Sequence, residues 1–280
     1  MKEITSQELL QLQLDILRDI DSFCRENGIE YFLVGGTGIG AVRHGGYIPW
    51  DDDIDIGMTR PHYDKFLATF NGSYGHLKVY APEFDLNWYA PYANVCDTRT
   101  FLDEDANGHN GNEVGVKIDI FPYDAVPADR EAFEKLRRRT HALTNMSLTK
   151  RIVLSKMWHI STVRFLKIAW LKIKYARRDF KSLQAEIMRL AKENTPWDEA
   201  EYLEKLVFPY RDNKPCRREI FESYQDVKFE NLTVRNLTAC DEFLKSVFGD
   251  YMKLPPVEQR VTHHAFKAYW KDTAPHTTQA

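Results

Sequence analysis

The sequence predicts an α+β fold: a mixed β-sheet core flanked by helices, followed by a helical and basic C-terminal half. Three observations support this. The chain opens with a strongly amphipathic helical stretch. Short apolar runs with two-residue alternation, bounded by glycine and proline, then recur through the first 130 residues and read as strands. From about residue 131 the pattern changes to helical spacing with many basic residues.

The first helix begins at a capping box, Thr5-Ser-Gln-Glu8, in which the two side chains satisfy each other's orphan amides. Leu9, Leu12, Ile16, Ile20 and Phe23 recur at helical spacing, and Gly28 is the stop signal. Tyr31 to Val34 is a short buried strand. Gly35 and Gly36 break it and permit positive φ or close backbone approach. Thr37 is placed to cap a short helix running to about His44, whose free amides make an anion site suited to phosphate. This is not a Walker loop, because the GK[ST] ending is absent. Gly36 to Ala41 fits a loose G-x-G-x-x-A. Gly45, Gly46 and Pro49 cut its helix short, and the acids that follow form a cluster where a dinucleotide fold uses one.

That cluster is the most informative feature of the chain. Asp51, Asp52, Asp53 and Asp55 fall within five positions, with Ile54 and Ile56 interleaved. Residues two apart on a strand share a face, so Asp53 and Asp55 are expected to project together. Asp51 joins them if the strand starts early. Asp52 is expected to point the other way, as a turn or supporting residue. Carboxylates this close repel unless a cation lies between them, and hard oxygen ligands suit Mg²⁺ or Mn²⁺. The competing reading is a solvated acidic turn before a strand.

The strand is expected to end near Met58. Thr59-Arg60-Pro61 starts a helix to about Phe70, and Asn71-Gly72 is a turn. Further strands are expected at 77–81, 89–96 and 115–121, with an exposed polar loop from Asp103 to Glu113. Asp119 lies in another alternating stretch, Val116-Lys-Ile-Asp-Ile-Phe121. On its residues alone it also fits a strand-end aspartate capping the turn at Phe121-Pro122. Arg43 reads equally well as a bidentate phosphate ligand or as a surface arginine, and Arg60 is a weaker phosphate candidate. Trp50, Trp88, Tyr89, Tyr92 and Tyr123 could form an aromatic cage for a quaternary ammonium group, although such residues are more often core.

Between Lys135 and Lys181 there are fourteen Lys or Arg residues and one acid, Asp179. Ile152 to Ala176 is rich in apolar residues. One reading is a helical pair on the core with a solvated basic face. The sharper one is an interfacial surface that meets anionic lipid, with Trp158, Phe165 and Trp170 as apolar contacts. The last ten residues are expected to fray.

Composition narrows the classes. A 280-residue chain with 43% hydrophobic and 28% charged residues is ordinary for a globular protein. A net charge of −3 argues against general nucleic-acid binding. Cys24, Cys96, Cys216 and Cys240 are widely spaced, which suits reduced structural thiols. With no apolar signal core and no run long enough to span a bilayer, a cytoplasmic location is expected, at the inner face of the membrane if the basic segment docks there.

Three stretches carry a family resemblance. Gly35-Gly-Thr-Gly-Ile-Gly-Ala-Val-Arg-His-Gly-Gly-Tyr-Ile-Pro-Trp-Asp-Asp-Asp-Ile-Asp-Ile56 resembles the signature of the LicD family, which includes bacterial phosphorylcholine transferases and has the fukutin-type ribitol-phosphate transferases as relatives. Gly115 to Asp124 and Phe248 to Pro256 continue it, so it covers roughly residues 7 to 265. The resemblance implies a nucleotidyltransferase-like core over 1–130, with 131–280 a mainly helical region completing the same domain. It implies Asp53, Asp55 and Asp119 as catalytic carboxylates, and Asp51 with those three as ligands of Mg²⁺ or Mn²⁺. Asp119 would ligate metal or take a proton from the acceptor hydroxyl. Gly35, Gly36, Thr37, Arg43 and Trp50 would contact substrate. The implied reaction moves phosphocholine, or a similar phospho-alcohol, from a CDP-linked donor such as CDP-choline to a hydroxyl of a cell-surface glycan or its lipid-linked precursor. Transfer of NMP to a small molecule, and non-catalytic nucleotide or glycan binding, are the rival readings. The chain departs from the family at Gly38-Ile39, where leucines are usual, at Asn94, near which many relatives carry lysine, and at Phe248, where tyrosine is common.

Overall fold

In the computed structural model, residues 1–104, 114–152, 154, 161–208, 214–262 and 266–271 are described. The expected polar loop falls mostly at 105–113, and Trp158 and the expected frayed tail from 272 also lie outside the described residues.

After a two-residue strand β1 (Lys2–Glu3), helix α1 (Ser6–Glu26) begins at the expected capping box. Glu8 N donates to Thr5 Oγ1 at 3.2 Å and Thr5 N donates to Glu8 Oε2 at 2.9 Å. Its apolar stripe is buried along its length, and Phe23 meets Phe66 and Phe70 edge-on. The chain turns at Gly28, φ +59°, into β2 (Phe32–Leu33). Helix α2 (Gly35–His44) starts two residues earlier than Thr37, with Val34 as its cap residue and no side-chain cap. The two glycines are thus the first turn of the helix rather than a loop before it. Its left-handed end at Gly45 matches the expected stop.

Strand β3 (Asp55–Thr59) leads into α3 (Arg60–Phe70), which ends on left-handed Asn71. Strands β4 (Ser73–Tyr74), β5 (Leu77–Tyr80), β6 (Ala93–Asp97), β7 (Thr100–Glu104) and β8 (Lys117–Val126) follow. The strand expected over 89–96 thus begins at Ala93. The one expected over 115–121 continues through Pro122 instead of turning there. Pro122 falls between the stretches of β8 that pair with β6 and with the later strand β9, where a missing N–H disturbs those ladders least.

Helices α4 (Arg130–Arg151), α5 (Thr162–Lys174) and α6 (Phe180–Glu193) start on the side-chain caps Asp129, Ser161 and Asp179. The chain then returns to strands: β9 (Tyr202–Glu204), β10 (Cys216–Arg217) and a hairpin of β11 (Tyr224–Phe229) with β12 (Leu232–Leu237). Helix α7 (Cys240–Phe248) and β13 (Phe266–Trp270) complete it.

The central mixed sheet runs β10-β9-β8-β6-β5-β4, with β3 parallel to β8 and antiparallel to β2. β13 bridges β1 and β7 in a second sheet. Ile56, Met58, Ile118, Ile120, Ala93 and Val95 turn to one side of the central sheet and join α1 and α3 in the main core. Their alternate neighbours face the other way, and that is the face on which the polar site is built. The four cysteines are buried and free, as expected for structural thiols. No helix among the described residues is long and apolar enough to cross a membrane.

Candidate active site

Strand register brings the predicted residues together. Asp55 on β3 lies directly opposite Asp119 on β8, and Asn94 on β6 lies opposite Asp119 on its other side. Residues opposite one another share a face, so Asn94, Asp119 and Asp55 form a row across three strands. Residues 25 and 64 positions apart in the sequence thereby become neighbours.

The remaining acids stand at the end of that row. The strand begins at Asp55, so Asp51, Asp52 and Asp53 precede it in irregular backbone and the two-residue alternation does not reach them. Asp52 does not point away as parity predicted: one carboxylate oxygen from each of Asp51, Asp52 and Asp53 lies within 4.8 Å of the others. The segment is held from below. Asp51 N donates to Ile48 O at 2.8 Å, and buried Gln13 of α1 donates from Nε2 to Asp52 O at 2.9 Å.

The start of α2 closes against this group. A Cβ on Gly36 would sit 2.0 Å from Asp51 Oδ2, and one on Gly35, φ +59°, would sit 3.0 Å from Asp55 Oδ2. Only glycine leaves room for these carboxylates beside the helix start. Thr37 is buried within the helix and is not its cap: Asp55 N donates to Thr37 Oγ1 at 2.9 Å. Thr37 therefore ties the helix to the strand that carries Asp55.

Asp119 is braced by donors. Tyr92 Oη donates to its Oδ2 at 3.2 Å, Lys117 Nζ reaches its Oδ1 at 2.6 Å, and Asn94 Nδ2 donates to the same oxygen. Trp88 Nε1 donates to Asn94 Oδ1 at 3.1 Å, which fixes the amide. Position 94 thus holds a carboxylate in place, and an ammonium enters the site from Lys117. Lys205 lies behind the row, buried, with its ammonium 4.3 Å from the centre of the Phe121 ring. Burial pushes its pKa down to about 8, while Asp55, Glu204 and Asp119 pull the other way. The Asp55 carboxyl is pushed well above the usual carboxylate range by burial first, then by Asp53 and Asp119, with Lys205 and Lys117 opposing. Three hard carboxylates at the loop and a fourth disfavoured as an anion are a donor set that fits a divalent cation.

Sequence reasoning missed Lys117, Asn94 and Tyr92 as partners of Asp119, and Lys205. Lys117 was within reach, since it stands two residues before Asp119 and shares its face. The others needed strand pairing that no local pattern supplies.

Other expected ligands lie elsewhere. Arg43 donates from Nη1 to Tyr251 O at 2.8 Å and from Nε to His44 Nε2, so it ties α2 to the C-terminal segment. Arg60 is buried in an ion pair with Asp124 at 2.6 Å. Trp88 stacks on Tyr80, Tyr123 packs among Phe32, Phe221 and Phe243, and Tyr89 already faces Arg151, so these three do not make a cage. Trp50 stays beside the acids, lining with Asp51, Asp52 and Glu3 a cavity of about 390 Å³.

A full-length relative settles the family. The lipopolysaccharide cholinephosphotransferase LicD of Haemophilus influenzae is 30% identical over 275 residues, covering 96% of this chain and 99% of that protein. The chain belongs to the LicD family. The model of the family's domain, described as LicD/FKTN/FKRP, nucleotidyltransferase domain, matches residues 28–141, the stretch holding Asp51–Asp55, Asn94 and Asp119. Human ribitol 5-phosphate transferase FKRP is 55% identical over 31 residues, 11% of this chain and 6% of that protein. An uncharacterized protein of Rickettsia prowazekii is 35% identical over 104 residues, 36% of this chain and 34% of its own. This LicD-family chain is thus similar over its whole length to a cholinephosphotransferase.

Proposed function

We propose that this chain is a metal-dependent transferase that moves phosphocholine, or a similar phospho-alcohol, from a CDP-linked donor to a hydroxyl of a cell-surface glycan or its lipid-linked precursor, releasing CMP. The observation that carries this reading is the row Asp55–Asp119–Asn94 meeting the Asp51–Asp53 group against the glycine start of α2. The full-length likeness to a cholinephosphotransferase and the short, dense likeness to a ribitol 5-phosphate transferase support phospho-alcohol transfer.

Asp51, Asp53 and Asp55 would hold Mg²⁺ or Mn²⁺, with the Asp52 carboxylate inside the same group, within 4.8 Å of those of Asp51 and Asp53. Such an ion, when bound, supplies charge to the pyrophosphate oxygens and to the departing CMP. The amides at the start of α2 point positive charge at the same phosphates. Lys117 adds an ammonium beside Asp119, and Asn94 and Tyr92 keep that carboxylate in one orientation. Asp119 Oδ2 takes the proton of the acceptor hydroxyl as its oxygen bonds to phosphorus, and the bond from phosphorus to the CMP oxygen breaks. Trp50 lines the cavity shared with Asp51 and Asp52, and its ring carries the Arg260 guanidinium at 5.6 Å, a cation–π contact that a cationic head group would displace.

The test is the fate of the label. With CDP-choline labelled in choline and a glycan acceptor, phospho-alcohol transfer places label on the glycan and leaves CMP. With NMP transfer the nucleotide appears on the acceptor. With a binding protein neither changes.

A further inference from the structure

Helix α5 presents two apolar faces. Ile168 is buried and Phe165, Ala169 and Leu171 are partly covered on the inner side. On the outer side Val163, Leu166, Trp170 and Ile173 are 79%, 61%, 57% and 76% exposed. Their spacing of three, four and three residues places all four within an arc of about 80° at 100° per residue. The helix cannot roll to hide them. Lys172 Nζ donates to the carbonyls of Lys150 at 2.7 Å and Ile152 at 2.8 Å, pinning α5 to the C-terminal end of α4. Lys172 is therefore engaged within the fold and is not part of the outer face.

We propose that the outer face of α5 docks on an anionic lipid bilayer, lying in the plane of the interface. Charge points to this occupant. Lys167 and Lys174 border the stripe, Arg164 stands beyond them, all three are exposed, and the helix contains no acid. Lys174 sits over the Trp170 ring at 5.0 Å. Protein interfaces are depleted in lysine around their apolar centres. An apolar stripe with an indole, edged by long basic side chains that can reach headgroups, matches the interfacial helix. At 13 residues the helix is about 20 Å long, too short to cross the hydrocarbon layer.

This goes beyond the transferase reading, and its test reads lipid binding alone, so either can fail without the other. The full chain is sedimented with vesicles of phosphatidylcholine, or of phosphatidylcholine with one quarter phosphatidylglycerol, at 50 and 500 mM salt. Docking predicts binding to the anionic vesicles at low salt and a large loss at high salt or without the anionic lipid. Leu166→Ser with Ile173→Ser should reduce partitioning at least tenfold. Lys167→Gln with Lys174→Gln should reduce it roughly twenty-fivefold, at about fivefold per basic residue. Thermal unfolding of both variants checks that the fold is kept, and both should turn over a soluble acceptor like the wild type. If the wild type stays in the supernatant at low salt, or binds as well with the apolar residues replaced, the proposal is overturned. It is equally overturned if light scattering shows a dimer that Leu166→Ser with Ile173→Ser dissociates, because the face is then a contact between copies of the chain.

Discussion

Asp55 stands where three constraints meet: Thr37 holds its backbone, the Gly35 helix start closes on its carboxylate, and Asp119 faces it across the sheet. Such a group is expected to tolerate little. Asp55→Ala and Asp53→Ala should each lower turnover by about a thousandfold, the loss expected when a metal ligand leaves a phosphoryl-transfer site, with the fold retained. Asp52→Asn should be milder in turnover but raise the Mg²⁺ concentration needed for half-activity by about tenfold, since its carboxylate is one of the three grouped at the loop. Steady-state rates across a Mg²⁺ series separate the two effects. The acid cluster was legible from its density and the interleaved isoleucines, but the parity they suggest holds from Asp55 onward and not for Asp53. Asp52 was misjudged because that parity was extended past the first strand residue, Asp55, into backbone with no alternation. Arg43 and Arg60 were equally undetermined by sequence. A lone arginine near glycines suits a phosphate or a carbonyl, and here Arg43 meets Tyr251 O.

At the scale of elements, α2 is held at both of its ends. Its first turn abuts the acids, and the loop after it is gripped by the tip of the β11–β12 hairpin, where Tyr47 N donates to Glu230 Oε1 at 2.9 Å and Glu230 N donates to Gly45 O at 2.8 Å. The added methyl of Gly36→Ala would displace the Asp51 carboxylate rather than backbone. Activity should therefore fall by at least tenfold while the urea midpoint shifts little. Helix α3 is anchored differently. Arg60 in its first turn pairs with Asp124 of β8, so Arg60→Ala leaves a buried carboxylate unpaired and should cost about 3–5 kcal/mol in chemical unfolding, with little effect on KM. Caps and stops made α1 and the ends of α2 and α3 readable. The start of α2 was misplaced because threonine is a strong cap, whereas here its hydroxyl serves the neighbouring strand. The length of β8 was hidden by Pro122, which breaks most sheets but here falls between the β6 and β9 pairings on one side while lying opposite Met58 of β3 on the other.

Across the whole molecule, the second half of the chain reaches back into the first. β9 pairs with β8 and places Glu204 and Lys205 behind the acid row, an arrangement without local signal in a segment read as mainly helical. Burial pushes Glu204 from its ordinary 4.5 up to about 7, against the Lys205 backbone hydrogen bond and the charges of Lys205 and Arg137. The fold thus favours the protonated form. Stability from this group is full below 4.5 and is lost as pH rises through about 7. Glu204→Gln should match the wild type in urea unfolding at pH 4 and exceed it at pH 8, by at most on the order of 3 kcal/mol. The proposed metal site lies in the first half of the chain, with buried Lys205 of the second half facing its carboxylates electrostatically. The most direct measurement is CMP release from CDP-choline in the presence of acceptor, followed as Mg²⁺ is removed and restored, for the wild type and Asp55→Asn. Release should stop with chelator, return with Mg²⁺ and be nearly absent in Asp55→Asn. Release that persists without a divalent ion, or that survives in Asp55→Asn at the wild-type rate, would contradict it.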